Sequence, residues 1–256
     1  MILTRVFRRV ILPKNLSYAL TLGVLGALFA YPAFAQDVSI NFGESTGLTN
    51  RAIQLIAVIT VLSLAPSILV MVTSFTRIIV VLSLLRTAIG IQQSPPNTVI
   101  VSLALFLTAF VMAPTFEAAY KDGISPLMKQ EIEMGEAFTK SSKPFHSFML
   151  KHVREKDLAL FLDLSKSEKP ETPESVALHV LMPAFMISEL RRAFEIGFLL
   201  FVPFIVIDLV VASVLMSMGM MMLPPVIISL PFKLIFFVLV DGWHLVAGSL
   251  VKSFGL

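Results

Sequence analysis

Charged side chains inside long apolar runs are the residues of this chain whose chemistry most needs an explanation. A charge at the centre of a bilayer costs about 2.5–3.5 kcal/mol on insertion scales, so such a residue usually faces protein or water. It can relay protons or ions, help to hold a metal, or form an ion pair between helices. The residues concerned are Arg77, Arg86, Glu189, Arg191, Arg192, Glu195, Asp208, Lys233, Asp241 and His244.

Asp208 is the most isolated of these charges, because no cationic residue lies within one helical turn of it. Its functional interpretation is a proton or ion relay, and its structural interpretation is an ion pair between helices or subunits. A relay needs a chain of ionisable groups, whereas prolines, phenylalanines and valines surround Asp208. The sequence therefore favours an ion pair, with Arg77, Arg86 or an adjacent subunit as the candidate partner.

Four further charges can be satisfied locally. Glu189 and Arg192 are three residues apart, and Arg191 and Glu195 are four apart. Residues at these spacings share a helix face. We therefore expect two ion pairs within one helix.

Catalytic and metal chemistry have little support in the sequence. The chain has no cysteine, and it contains no GxSxG, P-loop, HExxH or GxGxxG motif. An intramembrane protease using Asp208 and Asp241 stays open as an alternative, because paired aspartates can share a proton. A metal held by Asp241 and His244 also stays open, although two ligands are few. We expect no catalytic residue, no metal and no cofactor.

The most unusual segment is VLMSMGMMMLPP, from Val214 to Pro225. Gly219 allows a bend within it. Pro224 and Pro225 prevent a helix from continuing through its end. The sequence thus predicts a turn between two apolar helices.

Three consecutive methionines lie in this turn, at Met220, Met221 and Met222. Methionine is unbranched, flexible and polarizable, so a cluster of methionines deforms around whatever presses on it. If several copies of the segment met around an axis, these residues would form a soft apolar constriction. The alternative is that they fill an irregular core.

The composition places the chain in a membrane. It is 56% hydrophobic and only 14% charged, whereas soluble domains carry about 25% charged residues. The net charge is +3, and the basic residues are spread out, so no patch indicates nucleic-acid binding.

The N-terminal residues have the pattern of a secretory leader. Basic residues between Arg5 and Lys14 precede an apolar stretch from Leu16 to Ala30, and small residues follow up to Ala35. This pattern predicts cleavage after Ala35. An uncleaved membrane anchor is the alternative.

The rest of the chain predicts an all-α membrane protein of helical hairpins, with about four hydrophobic helices and a small polar helical region. The predicted helices include a polar one from Ser125 to about Lys140, one that restarts at Thr172 and Pro173, and two apolar ones from Phe194 to Ser217 and from Val226 to Val251. Positive charge at Arg77 and Arg86 places that side of the first hairpin in the cytoplasm and the polar region in the periplasm. The predicted divisions are a signal peptide at 1–35, a periplasmic segment at 36–50, a first hydrophobic hairpin at 51–114, the polar helical periplasmic region at 115–188, and a second hydrophobic hairpin with the methionine segment at 189–256.

Five segments of the chain are distinctive: TSFTRIIVVLSLLR from Thr73, QQSPPN from Gln92, PAFMISELRRAFEIGF from Pro183, FVPFIVIDLVVASVLMSMGMMMLPP from Phe201 and PFKLIFFVLVDGW from Pro231. They resemble the FliP family of flagellar type III secretion export-gate proteins. The resemblance extends from about Arg51 to the end of the chain. The chain is less closely similar to the corresponding proteins of virulence-type secretion systems.

The resemblance implies a function in flagellar protein export. Several copies of such a chain would surround a narrow pore, together with FliQ and FliR, in the bacterial inner membrane at the flagellar basal body. The helices would pack as bent hairpins largely above the bilayer plane. Unfolded flagellar proteins would pass through the pore, and an assembly factor like FliO is also implied.

The same resemblance assigns roles to residues. Met220, Met221 and Met222 look like the gasket of the family, with Gly219, Pro224 and Pro225 shaping the turn. The charges in the apolar runs become pairs between subunits or helices. Such a subunit would not be an enzyme.

Two other functions remain as alternatives. A small-solute or ion transporter would use Asp208 as a site at the membrane midplane. A non-conducting assembly scaffold would need no pore.

Overall fold

A computed structural model describes residues 48–91, 93–165, 172–220 and 222–255. The predicted signal peptide, most of the predicted segment 36–50, and Met221 lie outside these residues. The chain divides into two compact units, Met1–Ile56 and Ala57–Leu256. All packing described below belongs to the second unit.

The described residues are helical throughout their regular structure, with no strand among them, so the predicted all-α fold class is confirmed. The α-helices are α1 (Leu48–Met71), α2 (Phe75–Ile89), α3 (Asn97–Ala119), α4 (Ser125–Met128), α5 (Met134–His152), α6 (Glu155–Ser165), α7 (Leu178–Ser217), α8 (Pro225–Leu239) and α9 (Gly242–Lys252). A π-helical turn, Tyr120–Ile124, joins α3 to α4, and a 3₁₀ turn, Pro173–Ser175, precedes α7.

Two described stretches, Asn97–Met128 and Leu178–Ser217, are long and apolar enough to cross a membrane. Two bent helix pairs would add one span each. The first joins Leu55–Met71 to Phe75–Ile89 at 66°, and the second joins Pro225–Leu239 to Gly242–Lys252 at 63°. The described part of the chain thus offers two to four candidate membrane helices by length and composition.

Helix α2 lies at the centre of the fold. Its apolar residues recur at helical spacing, and Ile78, Val81, Leu82 and Leu85 are all buried. They form one core with residues of α3, α7, α8 and α9. A second core joins α5 and α6 to the first half of α7. Helix α2 is therefore the element against which the hairpins are positioned.

Helix α7 runs unbroken through Pro183 and Pro203 for 40 residues. At 1.5 Å per residue it is about 60 Å long, roughly twice the hydrocarbon thickness of a bilayer. The sequence predicts a helix that restarts at Thr172 and Pro173 and an apolar helix from Phe194, and the structure has one continuous helix from Leu178. The first half is helical because it packs against α5 and α6, which outweighs the proline at position 183.

The last apolar stretch is broken, where the sequence predicts one helix from Val226 to Val251. Asp241 adopts a left-handed conformation with φ 50°, and Gly242 follows it. A Cβ on Gly242 would lie 2.1 Å from the Phe237 ring, so a larger residue there would require the ring to move. Helix α9 follows this break at an angle of 63° to α8.

The helix predicted from Ser125 to Lys140 is also interrupted. It ends at Met128, and α5 begins at Met134. Gln130, between them, has φ 59°. A left-handed residue cannot continue an α-helix, so the polar region turns at this point.

Candidate functional site

The methionine segment begins with a well-formed helix cap. The Met220 N–H donates to the Leu215 carbonyl and the Gly219 N–H donates to the Met216 carbonyl, both at 3.0 Å. This is the Schellman arrangement, which places a left-handed residue directly after the helix. Gly219 occupies that position with φ 75°. The cap therefore fixes how the chain leaves α7.

The methionine side chains point away from the core of the subunit. Met216, Met218, Met220 and Met222 are 58%, 62%, 43% and 97% exposed, while Met221 lies outside the described residues. Pro224 then precedes α8, and Pro225 is its first residue. The segment is thus an exposed apolar loop at the tip of the α7–α8 hairpin. We call residues 216–222 the methionine loop.

Asp208 joins the two arms of this hairpin. Its Oδ2 accepts a hydrogen bond from the Lys233 ammonium at 2.7 Å, and its Oδ1 accepts one from the Ser229 hydroxyl at 2.5 Å. Ser229 and Lys233 lie one helical turn apart on α8. The carboxylate is therefore held at two points by the opposite arm.

Lys233 extends this link to the central helix. Its Nζ lies 3.5 Å from the carbonyl oxygen of Ala88, in the last turn of α2. Carbonyls at a helix C-terminus carry partial negative charge, so a cation is stabilised there. The Lys233 side chain is only 5% exposed, against 32% for Asp208. One ammonium group thus connects α2, α7 and α8.

This geometry corrects the partner expected for Asp208. We expected Arg77, Arg86 or an adjacent subunit, whereas the partner is Lys233 of the same chain. The pair lies 25 residues apart in sequence, so helical spacing along one element could not reveal it. The one sign of this pairing in the sequence was Lys233 itself, a charged residue in an apolar stretch that follows Ser229 by four residues.

Arg77 and Glu189 form a second internal pair. The Arg77 Nε donates to one carboxylate oxygen at 2.8 Å, and Nη2 donates to the other at 2.5 Å. Nη1 donates to the carbonyl and the hydroxyl of Ser253, both at 3.0 Å. The guanidinium carbon lies 3.8 Å from the centroid of the Phe254 ring. Arg77 therefore fastens the C-terminal end of the described chain to α2 and α7.

The expected local pairs have different outcomes. Arg191 donates to Glu195 at 3.0 Å, and both side chains are exposed. Glu189 pairs with Arg77 on another helix, and not with Arg192 as the spacing predicts. Tertiary packing turns Glu189 into the core, where the Arg77 fork offers it two hydrogen bonds.

Arg86 does not pair with Asp208. Its Nη1 donates to the side-chain oxygen of Asn97 at 2.6 Å and to the carbonyl of Pro95 at 3.2 Å. Arg86 therefore stabilises the turn between α2 and α3. Asn97 is also the first residue of α3.

Among the described residues, no group of three or more His, Asp or Glu side chains is placed to hold a metal ion. Asp241 and His244 are both exposed. The arrangement offers paired charges that lock helices together and an exposed apolar loop that can deform.

The fold and site together define a polytopic all-α membrane protein whose internal charges pair between helices and whose main hairpin ends in an exposed methionine loop. The sequence model of the FliP family matches residues 58–250. The chain therefore belongs to the FliP family.

Similar proteins come from distant bacteria. The chain is 67% identical over 229 residues to a protein of Caulobacter vibrioides named "Flagellar biosynthetic protein FliP", covering 89% of this chain and 86% of that protein. Identity to the protein of the same name from Bacillus subtilis is 56% over 217 residues, covering 84% and 98%. For the one from Aquifex aeolicus it is 49% over 238 residues, covering 92% and 98%.

Proposed function

We propose that this chain is the core pore-forming subunit of the flagellar type III protein export gate, with Met220, Met221 and Met222 as a deformable seal. The observation that carries the proposal is the methionine loop, which leaves large apolar side chains exposed at the tip of a braced hairpin. Met222, at 97%, is the most exposed large apolar residue among those that the structure describes. Membership of the FliP family supports the assignment to flagellar export.

A seal for protein export must meet two requirements. It must exclude water and ions at rest, and it must fit around an unfolded chain whose side chains keep changing. Methionine meets both, because it is apolar and has three rotatable bonds. Leucine would be stiffer, and alanine would leave a wider opening.

The Asp208–Lys233 pair supports the mechanical part of this proposal. A soft seal works only if the elements that carry it stay in place. The two arms of the hairpin are joined by this pair, and Lys233 also reaches α2. The hairpin can therefore bear the load of a passing chain while the loop deforms.

In the assembled gate, several copies of the chain would surround the pore with FliQ and FliR, after assembly aided by a FliO-like factor. The export substrates would be unfolded flagellar proteins, and the site of action the bacterial inner membrane at the flagellar basal body. Exposed apolar residues on α3, α7 and α8, such as Phe106, Leu209 and Val238, supply contact surface for subunits and lipid. The proposed role uses no enzymatic step and no cofactor.

The transporter alternative is less favoured, because both oxygens of Asp208 accept hydrogen bonds from within the subunit. A substrate ion at this carboxylate would have to displace Lys233. The scaffold alternative is less favoured because it does not explain why the methionine loop is exposed.

Replacing Met220, Met221 and Met222 together by alanine tests the seal. Reconstituted gate complexes carrying this change should assemble normally and leak small ions, while leucine replacements should stay closed and slow export. The matched control replaces Met128 and Met134 by alanine, since each is 72% exposed and lies outside the loop. If the loop variant assembles without any added leak, the seal lies elsewhere and the result favours the scaffold alternative.

A further inference from the structure

The end of the described chain is held on the core by Arg77 and by aromatic packing. The Arg77 Nη1 donates to the carbonyl and the hydroxyl of Ser253, both at 3.0 Å, and the guanidinium carbon lies 3.8 Å from the centroid of the Phe254 ring. The Phe254 side chain is buried. We call residues 253–255 the C-terminal clasp. Because Arg77 belongs to α2, the clasp joins the end of α9 to the central helix.

His152 lies in the same aromatic cluster, at the end of α5 and outside the candidate membrane helices. The centroid of its imidazole is 5.3 Å from that of the Phe254 ring and 4.7 Å from that of the Phe148 ring. The Phe148 ring in turn stacks on Phe254 at 6.1 Å. His152 is buried, and among the described residues its ring nitrogens have no hydrogen-bond partner. Its contacts with the clasp are therefore those of a neutral ring.

The charges around His152 are unfavourable for a proton on its ring. Arg77 on α2, Lys151 on α5 and Arg192 on α7 all act on it as positive charges. Glu189 is already engaged, because both of its carboxylate oxygens accept hydrogen bonds from Arg77. Helix α3 and the clasp add no titratable side chain to the cavity beside the imidazole, which they line with Val111, Pro114, Thr115, Ala118, Phe254 and Gly255. A protonated His152 would thus be one more cation among cations.

The cavity beside the imidazole gives a proton access to it. Its volume is about 330 Å³, and its lining includes the polar side chains of Thr115, Ser147 and Lys151. A water molecule takes up about 30 Å³ in the liquid and needs polar partners in a protein, so this cavity can hold water. Phe254 and Gly255 of the clasp form one of its walls. Movement of the clasp would therefore widen the cavity and bring more water onto His152.

We propose that His152 and the C-terminal clasp form an acid-sensitive switch, in which protonation of His152 releases residues 253–255 from Arg77 and Phe148. Burial and the positive charges named above lower the pKa of His152 from 6.5 to about 4. Release exposes the imidazole to water and restores its ordinary pKa, so the open clasp takes up a proton more readily than the closed one. The closed clasp is therefore fully favoured above about pH 6.5, loosens as the pH falls towards 4, and changes no further below that value. The switch does not depend on the proposed export function.

Hydrogen exchange, followed by mass spectrometry on the full chain in the purified membrane complex, measures the opening of the clasp. The backbone N–H groups of Ser253, Phe254 and Gly255 bond to carbonyls of the last turn of α9, and a helix end without tertiary packing frays. After correction for the intrinsic effect of pH on exchange, their protection should fall by up to about thirtyfold between pH 7.5 and pH 5.0. This is the increase in opening for a group whose pKa rises from about 4 to 6.5 on release. Amides from Val81 to Leu85, in the core of α2, should keep their protection at both pH values.

Two histidine variants form a matched pair. His152→Gln should make the protection of the clasp independent of pH, whereas His179→Gln, at an exposed position of α7, should keep the full pH dependence. His152→Phe continues the aromatic packing without a titratable group, and it should also remove the pH dependence. This variant keeps the test available where His152→Gln fails to fold.

Three results would overturn the switch. Equal protection of the clasp at pH 7.5 and pH 5.0 in the unmodified chain would mean that His152 does not control it. A parallel loss of protection in the core of α2 would mean that acid unfolds the whole subunit. A pH dependence that persists in His152→Phe would assign the proton to another group.

Discussion

Arg77 and Glu189 lie 112 residues apart and meet in a two-point ion pair between α2 and α7, with side chains only 1% and 0% exposed. Burying two charges is costly unless each finds several partners. Here the carboxylate receives both N–H groups of the Arg77 fork, and the remaining nitrogen binds Ser253. The pair therefore fixes the register of the two helices on which both cores depend.

Glu189→Gln should destabilise the subunit strongly. It leaves the Arg77 charge buried without a counter-charge, which costs about 3–5 kcal/mol in comparable cases. Equilibrium unfolding of the purified protein in detergent measures the loss. Glu195→Gln is the control, because it breaks an exposed pair with Arg191 and should cost less than about 1 kcal/mol.

The double variant Arg77→Met with Glu189→Met should be more stable than Glu189→Gln alone. Removing both charges leaves no unpaired group, and apolar replacements of buried pairs are often neutral. Equal stability of the single and double variants would show that packing and not charge dominates at this site.

Asp208→Asn tests whether the hairpin pair is structural. It leaves the Lys233 ammonium buried without a counter-charge near the Ala88 carbonyl, and we expect a loss of about 1–3 kcal/mol in unfolding free energy. Asp208→Leu with Lys233→Met should recover much of that loss. If Asp208→Asn keeps full stability and assembly while abolishing proton-coupled export, the relay interpretation replaces the structural one.

Sequence reasoning located the apolar helices, the methionine turn and the charges that needed partners, because each depends on local composition. It found the local pair Arg191–Glu195 but did not find the pairs between helices. Lys233 was visible as a charge in an apolar helix, yet its bond to Asp208 depends on how α7 and α8 fold against each other. Glu189 has a possible partner three residues away on the same helix, Arg192. In the folded chain it pairs with Arg77 instead.

Helix ends were likewise predicted correctly where local residues decide them and missed where tertiary packing decides them. Gly219 and the double proline mark the end of α7 and the start of α8 correctly, because caps depend on residues in sequence. The break at Asp241 was missed because the apolar stretches on both sides of it predict one continuous helix, although Asp241-Gly242 is a dipeptide that favours turns. At this break Gly242 packs directly against Phe237, a contact that no periodicity encodes.

His152 should make stability depend on pH. Burial lowers its pKa from 6.5 to about 4, helped by the positive charges of Arg77, Lys151 and Arg192. The folded chain therefore keeps His152 neutral while the unfolded chain takes up a proton. Stability should fall as pH drops from about 6.5 to about 4, by up to about 1.4 kcal/mol per pH unit, and level off below.

Unfolding titrations at several pH values measure this slope. His152→Gln should remove the His152 contribution, while His179→Gln, at an exposed position of α7, should keep it. The rings of Phe148 and Phe254 lie 4.7 and 5.3 Å from the imidazole, so the variant costs some packing at every pH. An unchanged slope in His152→Gln would mean that another group binds the proton.

Gly123 and Gly135 should respond in opposite ways to alanine. A Cβ on Gly123 would lie 2.6 Å from the Ala137 carbonyl oxygen and 2.8 Å from the Ser141 nitrogen, both backbone atoms of α5. Overpacking of this kind costs about 1–3 kcal/mol. At Gly135 no atom lies within 4 Å, so alanine should stabilise α5 by up to about 1 kcal/mol. Thermal unfolding of the two variants measures both changes in stability. A similar change in both variants would refute the close packing at Gly123.

Gly219 should be needed because its backbone is left-handed, and not because a side chain there would lack space. Its φ is 75°, and a Cβ there would meet no atom within 4 Å. Gly219→Ala should therefore cost about 1–2 kcal/mol from left-handed strain alone, and Gly219→Asn less, because asparagine tolerates this conformation. Hydrogen exchange at the Met220 amide, which the cap protects, should speed up in the order Gly, Asn, Ala. If the cap sets the direction of the methionine side chains, ion leak through assembled complexes should rise in the same order. Faster exchange without any added leak would mean that the seal depends on the composition of the loop and not on its geometry.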